Sequence, residues 1–107
     1  MNENEAVEVN ANGAFISPQM ASFAATKWNE KNPKDGVAYI ACSEKMLRKI
    51  ETLYAKADPP RKDVTINKHQ QLLSGMPVRV DRFIPKGEIH LRAADNRVVA
   101  KIVGLDE

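Results

Sequence analysis

Gly36-Val37-Ala38-Tyr39-Ile40-Ala41-Cys42-Ser43-Glu44-Lys45-Met46-Leu47-Arg48-Lys49-Ile50 is the stretch from which the fold is read. Its first seven residues are short, largely apolar and bounded by turn formers, as expected of a central strand covered on both faces. The pattern changes at Ser43, whose hydroxyl can accept from a first-turn amide, and Glu44 follows where a helix N-terminus favours negative charge. Met46, Leu47, Ile50, Leu53, Tyr54 and Ala57 then keep a helical period, while Lys45, Arg48, Lys49, Glu51 and Lys56 fall on the outer side. Glu44 and Arg48 form an i,i+4 pair, and Pro59-Pro60 ends the helix.

Toward the N-terminus, Ser17-Pro18 marks another helix start: the serine oxygen caps, and proline at the first helical position gives up an amide that has no partner there. Met20, Phe23, Ala24 and Trp28 follow at spacings of three and four, a stripe that ends before Pro33, with Trp28 the expected core anchor. Residues 1–14 hold Glu3, Glu5 and Glu8 among asparagines and read as a disordered acidic leader. Alternation of Ala6, Val7 and Val9 gives that segment a second reading, as an added edge strand.

Toward the C-terminus, Val64-Thr65-Ile66 is a short strand candidate, and residues 67–74 read as a short helix or an irregular crossing that reverses at Gly75. Val78 and Val80 alternate with Arg79 and Asp81, and Ile89 and Leu91 with Glu88, His90 and Arg92. The β-branched run 97–103 follows, with 93–96 as the intervening turn. Alternation with one polar side is the mark of a half-exposed antiparallel sheet. The expectation is a single α+β domain over residues 15–107, a mostly antiparallel sheet of four or five strands with two amphipathic helices on one face.

Composition narrows the function. At 107 residues there is room for one core, and a hydrophobic content of 43% is that of a folded domain rather than a disordered chain. The longest nearly apolar run, Gly36 to Cys42, falls far short of the about 20 residues a membrane span needs, and the acidic start is unlike a signal peptide. A cytoplasmic protein is expected, with no membrane partner. Cys42 is the sole cysteine, so neither a disulfide framework nor a cysteine-rich zinc site can be written.

Chemistry-bearing patterns are sparse. Cys42 ends a strand that reads as buried, where a thiol stays protonated, and no spacing brings it to His69 or His90. The five glycines are scattered singly, which excludes a P-loop or a dinucleotide fingerprint. Asp81, Glu88 and Asp95 look like surface charges rather than a paired acid and base. The reading is therefore of a non-enzymatic protein with no cofactor, no metal and no evident small-molecule substrate. Charge is uneven along the chain, since residues 44–101 carry thirteen Lys or Arg against seven Asp or Glu. Arg79, Arg92 and Arg97, with Arg82, Lys86 and Lys101 nearby, could thus give one sheet face or edge affinity for nucleic acid, although acids interleave with them and stacking aromatics are few.

Val37-Ala38-Tyr39-Ile40, the helix led by Ser43, then Leu72-Leu73-Ser74-Gly75-Met76-Pro77-Val78-Arg79-Val80-Asp81 and Ile84-Pro85-Lys86-Gly87-Glu88-Ile89 make a composite pattern. Over residues 36–92 this order resembles the C-terminal part of tailed-bacteriophage major capsid proteins, where a strand leads into a helix and a Leu-x-Gly-x-Pro-Val stretch precedes a proline-marked turn and another strand. The chain has nothing like the long spine helix or extended loop of that fold, and shell assembly is not implied. What the resemblance implies is a small phage or prophage protein that reuses a fragment of the architecture, as a virion accessory piece or an interaction module in the host. Its partner is then another protein, of phage or host, or a second copy. The candidate contact surface is Arg79, Arg82, Phe83, Lys86, Arg92 and Arg97, centred on an aromatic set among arginines near the proline-marked turn. Burial of Phe83 under that turn is the competing expectation.

Overall fold

A computed structural model of the chain describes residues 5–107. The elements run β1 (Val7–Asn10), α1 (Pro18–Lys31), β2 (Tyr39–Cys42), α2 (Glu44–Ile50), β3 (Val64–Ile66), β4 (Gln71–Leu73), β5 (Met76–Val80), β6 (Ile89–Arg92) and β7 (Val98–Val103), and α2 continues into a π-helical turn at Glu51–Ala55. Both serine-led starts form. The Ser17 hydroxyl accepts from the Met20 amide at 3.3 Å and the Ser43 hydroxyl from the Met46 amide at 3.0 Å. Ser43 in turn donates to the Glu107 carboxylate at 2.7 Å, which ties the C-terminus to the start of α2.

The sheet has seven strands in the order β1-β7-β6-β2-β5-β4-β3, with β2 at its centre and buried at all four positions. It is larger than the four or five strands expected and it is mixed. β1 runs parallel to β7 and β2 parallel to β5, while the remaining neighbours are antiparallel. Two strands account for the increase. Ser74 and Gly75 both adopt positive φ, 52° and 78°, so a two-residue turn joins β4 to β5 and residues 71–73 pair as a strand instead of forming a helix. β1 is the other. Val7 and Val9 sit opposite Ala100 and Ile102, and their apolar sides pack on the core, so residues 7–10 belong to the sheet rather than to a disordered leader. Residues 1–4 of that leader lie outside the described residues.

Both helices pack on one face. Ala21, Ala24 and Ala25 of α1 and Met46, Leu47 and Ile50 of α2 meet Ile40 and Cys42 of β2, Ile89 and Leu91 of β6, and Ala100 and Ile102 of β7 in one buried cluster. Trp28 anchors a second cluster with Ala93 and Val99, and its indole donates to the Asp35 carbonyl at 2.6 Å. Phe23 does not share its stripe. Five residues at about 100° each place Phe23 roughly 140° round the helix from Trp28, and its ring is 53% exposed with the Lys27 ammonium 5.1 Å away. Leu53 is also turned outward, because the wider π-helical turn shifts the period after Ile50 and brings Tyr54, not Leu53, toward the core. The Tyr54 hydroxyl donates to the Ile16 carbonyl at 2.5 Å, joining this turn to the segment before α1.

The strand register assigns the other face. Tyr39 and Ala41 of β2 pair with Arg92 and His90 of β6, Ala41 pairs with Arg79 of β5, and His90 pairs with Lys101 of β7, so these side chains share the side away from the helices. Among the described residues no helix covers that side, and no helix is long and apolar enough to cross a membrane.

Candidate interaction site

The connection from β5 to β6 folds back over the helix-free face, and Asp81 fixes it there. The Asp81 amide donates to the Cys42 carbonyl at 2.9 Å. Its carboxylate accepts the Phe83 amide at 2.9 Å through one oxygen and the Arg92 guanidinium at 2.8 Å through the other. A carboxylate bonding the amide two residues on is an Asx-turn, which reverses the chain within a single residue. Ile84 consequently points inward, 8% exposed against Tyr39 and Ala41, while its neighbour Phe83 points outward with 88% of its surface exposed. Gly87 closes the connection at φ +78°, lying so close to the Leu105 backbone that an added Cβ would stand 2.9 Å from that carbonyl oxygen.

A shallow cleft of about 280 Å³ opens beside this turn, lined by Tyr39, Arg79, Val80, Arg82, Phe83 and Arg92 among others. The Arg79 guanidinium lies 4.4 Å from the centre of the Tyr39 ring, within cation–π range. Tyr39 is itself held by its hydroxyl, which donates to the Asn96 side chain at 2.8 Å. Val80, paired with Cys42, turns its side chain to the helix side, so Phe83 is the apolar surface next to the arginines. The Phe83 amide first and the Arg92 guanidinium second hold the Asp81 carboxyl below its ordinary range. Tyr39 first, and Asp81 after it, push Arg92 above its own, so this pair stays charged.

Four of the six expected contact residues, Arg79, Arg82, Phe83 and Arg92, therefore meet at one cleft. Lys86 is exposed on the same connection but does not line it, and Arg97 is held by Asp35 and Asp95 at the β6–β7 turn. Tyr39 is the member that sequence reasoning left in the core. Its alternation with Ile40 marks it as facing away from the helices, but only the parallel pairing of β2 with β5 reveals Arg79 above it.

Reactive groups are kept apart. Cys42 is fully buried, and burial first, then Glu107 and Glu44, push its thiol up to about 12, so almost none is thiolate near neutral pH. The strand register puts His90 on the opposite side of the sheet from Cys42, bonded to Glu88 at 2.9 Å, and His69 is exposed in the β3–β4 turn. Among the described residues no three His, Cys, Asp or Glu side chains gather in a way that could hold a metal ion. Comparison with protein-family models, with curated proteins and with solved structures finds no match.

Proposed function

We propose that the protein is a non-enzymatic interaction module that contacts another protein through the β5–β6 turn and the cleft beside it. The observation that carries this reading is the opposed pair Ile84 and Phe83. One side chain locks the turn onto the sheet and the next is displayed almost wholly to solvent, on a backbone fixed by three hydrogen bonds to Asp81. Covering a Phe side chain is worth about 1.5–3 kcal/mol, and an exposed aromatic held on a rigid support loses little entropy when it is covered. For the setting, the proposal keeps the phage-type reading, a virion accessory piece or a host-interaction module.

Nucleic-acid binding by a basic sheet face is the weaker alternative. Arg92 and Arg97 are both paired with carboxylates, and Glu88 and Asp81 lie among the remaining bases, so a continuous positive track is not formed.

Site-specific photo-crosslinking tests the proposal. A benzophenone amino acid replaces Phe83, or Phe23 as an exposed control on α1, in protein made in its own cell or infection cycle, and adducts are identified by mass spectrometry. The expected result is one recurrent protein adduct from position 83 that is absent from position 23. Equal labelling from both positions, or none from position 83, would overturn it.

A further inference from the structure

The chain has six arginines, and four of them have a carboxylate within ion-pair distance: Arg48 with Glu44 and Glu51, Arg61 with Asp63, Arg92 with Asp81, and Arg97 with Asp35 and Asp95. The two without one among the described residues, Arg79 and Arg82, both line the cleft beside Phe83. From this we infer that the partner presents an acidic peptide segment, with a carboxylate seated between Arg79 and Arg82 and a neighbouring apolar side chain against Phe83. The inference rests on the proposed function and names the chemistry of its partner.

Geometry favours a carboxylate at this place. The Arg79 side chain makes no hydrogen bond among the described residues, and the Tyr39 ring supports it from one side. A guanidinium positioned by an aromatic ring keeps its N–H edge for a planar, two-pronged acceptor, which a carboxylate supplies. The one carboxylate at hand, Asp81, is already used by the Phe83 amide and by Arg92, so it does not neutralise the other two arginines. Binding a small acid alone would leave most of Phe83 uncovered, since 88% of its surface is exposed at the edge of the cleft. A peptide covers both kinds of surface at once. Nucleic acid fits less well, because a phosphate track would have to cross Asp81 and Glu88 and would find a single exposed ring at this site.

The test is selection from a random peptide display library on the intact protein, followed by titration of the enriched sequence as a labelled synthetic peptide. Enriched sequences should place Asp or Glu next to an aromatic or aliphatic residue. Arg79→Gln and Arg82→Gln should each weaken the peptide about tenfold, as the loss of a charge-assisted hydrogen bond does, with the unfolding midpoint unchanged because both residues are exposed. Changing the peptide's own Glu to Gln should have the same effect. Arg79→Lys should restore only part of the affinity, since the charge remains and the fork is lost.

Selection that yields no binder, enrichment without carboxylates, or equal affinity for the Arg79→Gln/Arg82→Gln protein would overturn the inference. So would a single-stranded DNA oligonucleotide that displaces the peptide at low salt and loses affinity in the same double variant, or self-association that this variant abolishes. A crosslink from position 83 that persists alongside any of these results leaves the interaction reading standing and removes only the acidic partner. Loss of the crosslink removes the reading beneath it.

Discussion

Replacing Ile84 and Phe83 in turn by alanine separates what holds the β5–β6 turn from what it displays. Ile84 is 8% exposed against Tyr39 and Ala41, and the change to alanine removes three carbons. At about 0.8 kcal/mol for each buried methylene the loss is about 2 kcal/mol, the lower end of the range for core truncations because the site lies at the sheet surface and can partly collapse. For a domain of this size that is a fall in melting temperature of roughly 10 °C. Phe83→Ala, one residue away, should stay within about 0.5 kcal/mol, as exposed substitutions do. Trp28, the sole tryptophan and 2% exposed, reports both unfolding curves by fluorescence in urea. Equal destabilisation by the two substitutions would show that Phe83 is packed rather than displayed, and the argument for a contact surface would fail with it.

Three further outcomes follow from the same geometry. Burial pushes the Cys42 thiol from its ordinary 9.0 up to about 12, so its contribution to stability is complete below pH 9 and is lost as pH rises toward 12. The loss is about 1.4 kcal/mol per pH unit across that window, and Cys42→Ala should flatten this alkaline limb in chemical unfolding. For Asp81, whose pKa is lowered, the sign is reversed: its contribution is present above the ordinary carboxylate range and disappears as pH falls through the folded value. Asp81→Asn should therefore be less stable near neutrality and lose less on acidification, measured as urea midpoints across an acid series. Gly87→Ala, at φ +78° and with its new Cβ 2.9 Å from the Leu105 carbonyl oxygen, should cost about 2 kcal/mol or more, checked by the same unfolding curves.

Much of the helix-covered side was legible from the chain. Ser17, Ser43, the apolar run through Cys42 and the alternations around Val78 and Ile89 each carry a local signal, and the elements formed where those signals stand. What local patterns could not carry was pairing. β1 becomes a strand only because β7 offers a parallel edge, and its Val7 and Val9 are too few to announce one alone. Residues 71–73 offered an alternation too short to read, although Ser74-Gly75 is a turn signal that favours a hairpin. Phe23 was misplaced because spacings of three and four drift round a helix, and alanines rather than the aromatic took the inner side.

For the candidate site, the cluster of Arg79, Arg82 and Phe83 was visible as neighbours in sequence. Arg92 joined them through the Asp81 pairing, whereas Arg97 was drawn off by Asp35, a residue distant in sequence. Which arginines are neutralised and which way Phe83 points are properties of the tertiary structure, which no local pattern carries.

The central claim is that Phe83 works in recognition and not in folding. Its most direct test is the affinity, by calorimetry, of the protein crosslinked from position 83 for the unaltered chain and for Phe83→Ala at matched folded fractions. The account predicts at least an about tenfold weaker complex with an unchanged unfolding midpoint. Equal affinities would contradict it.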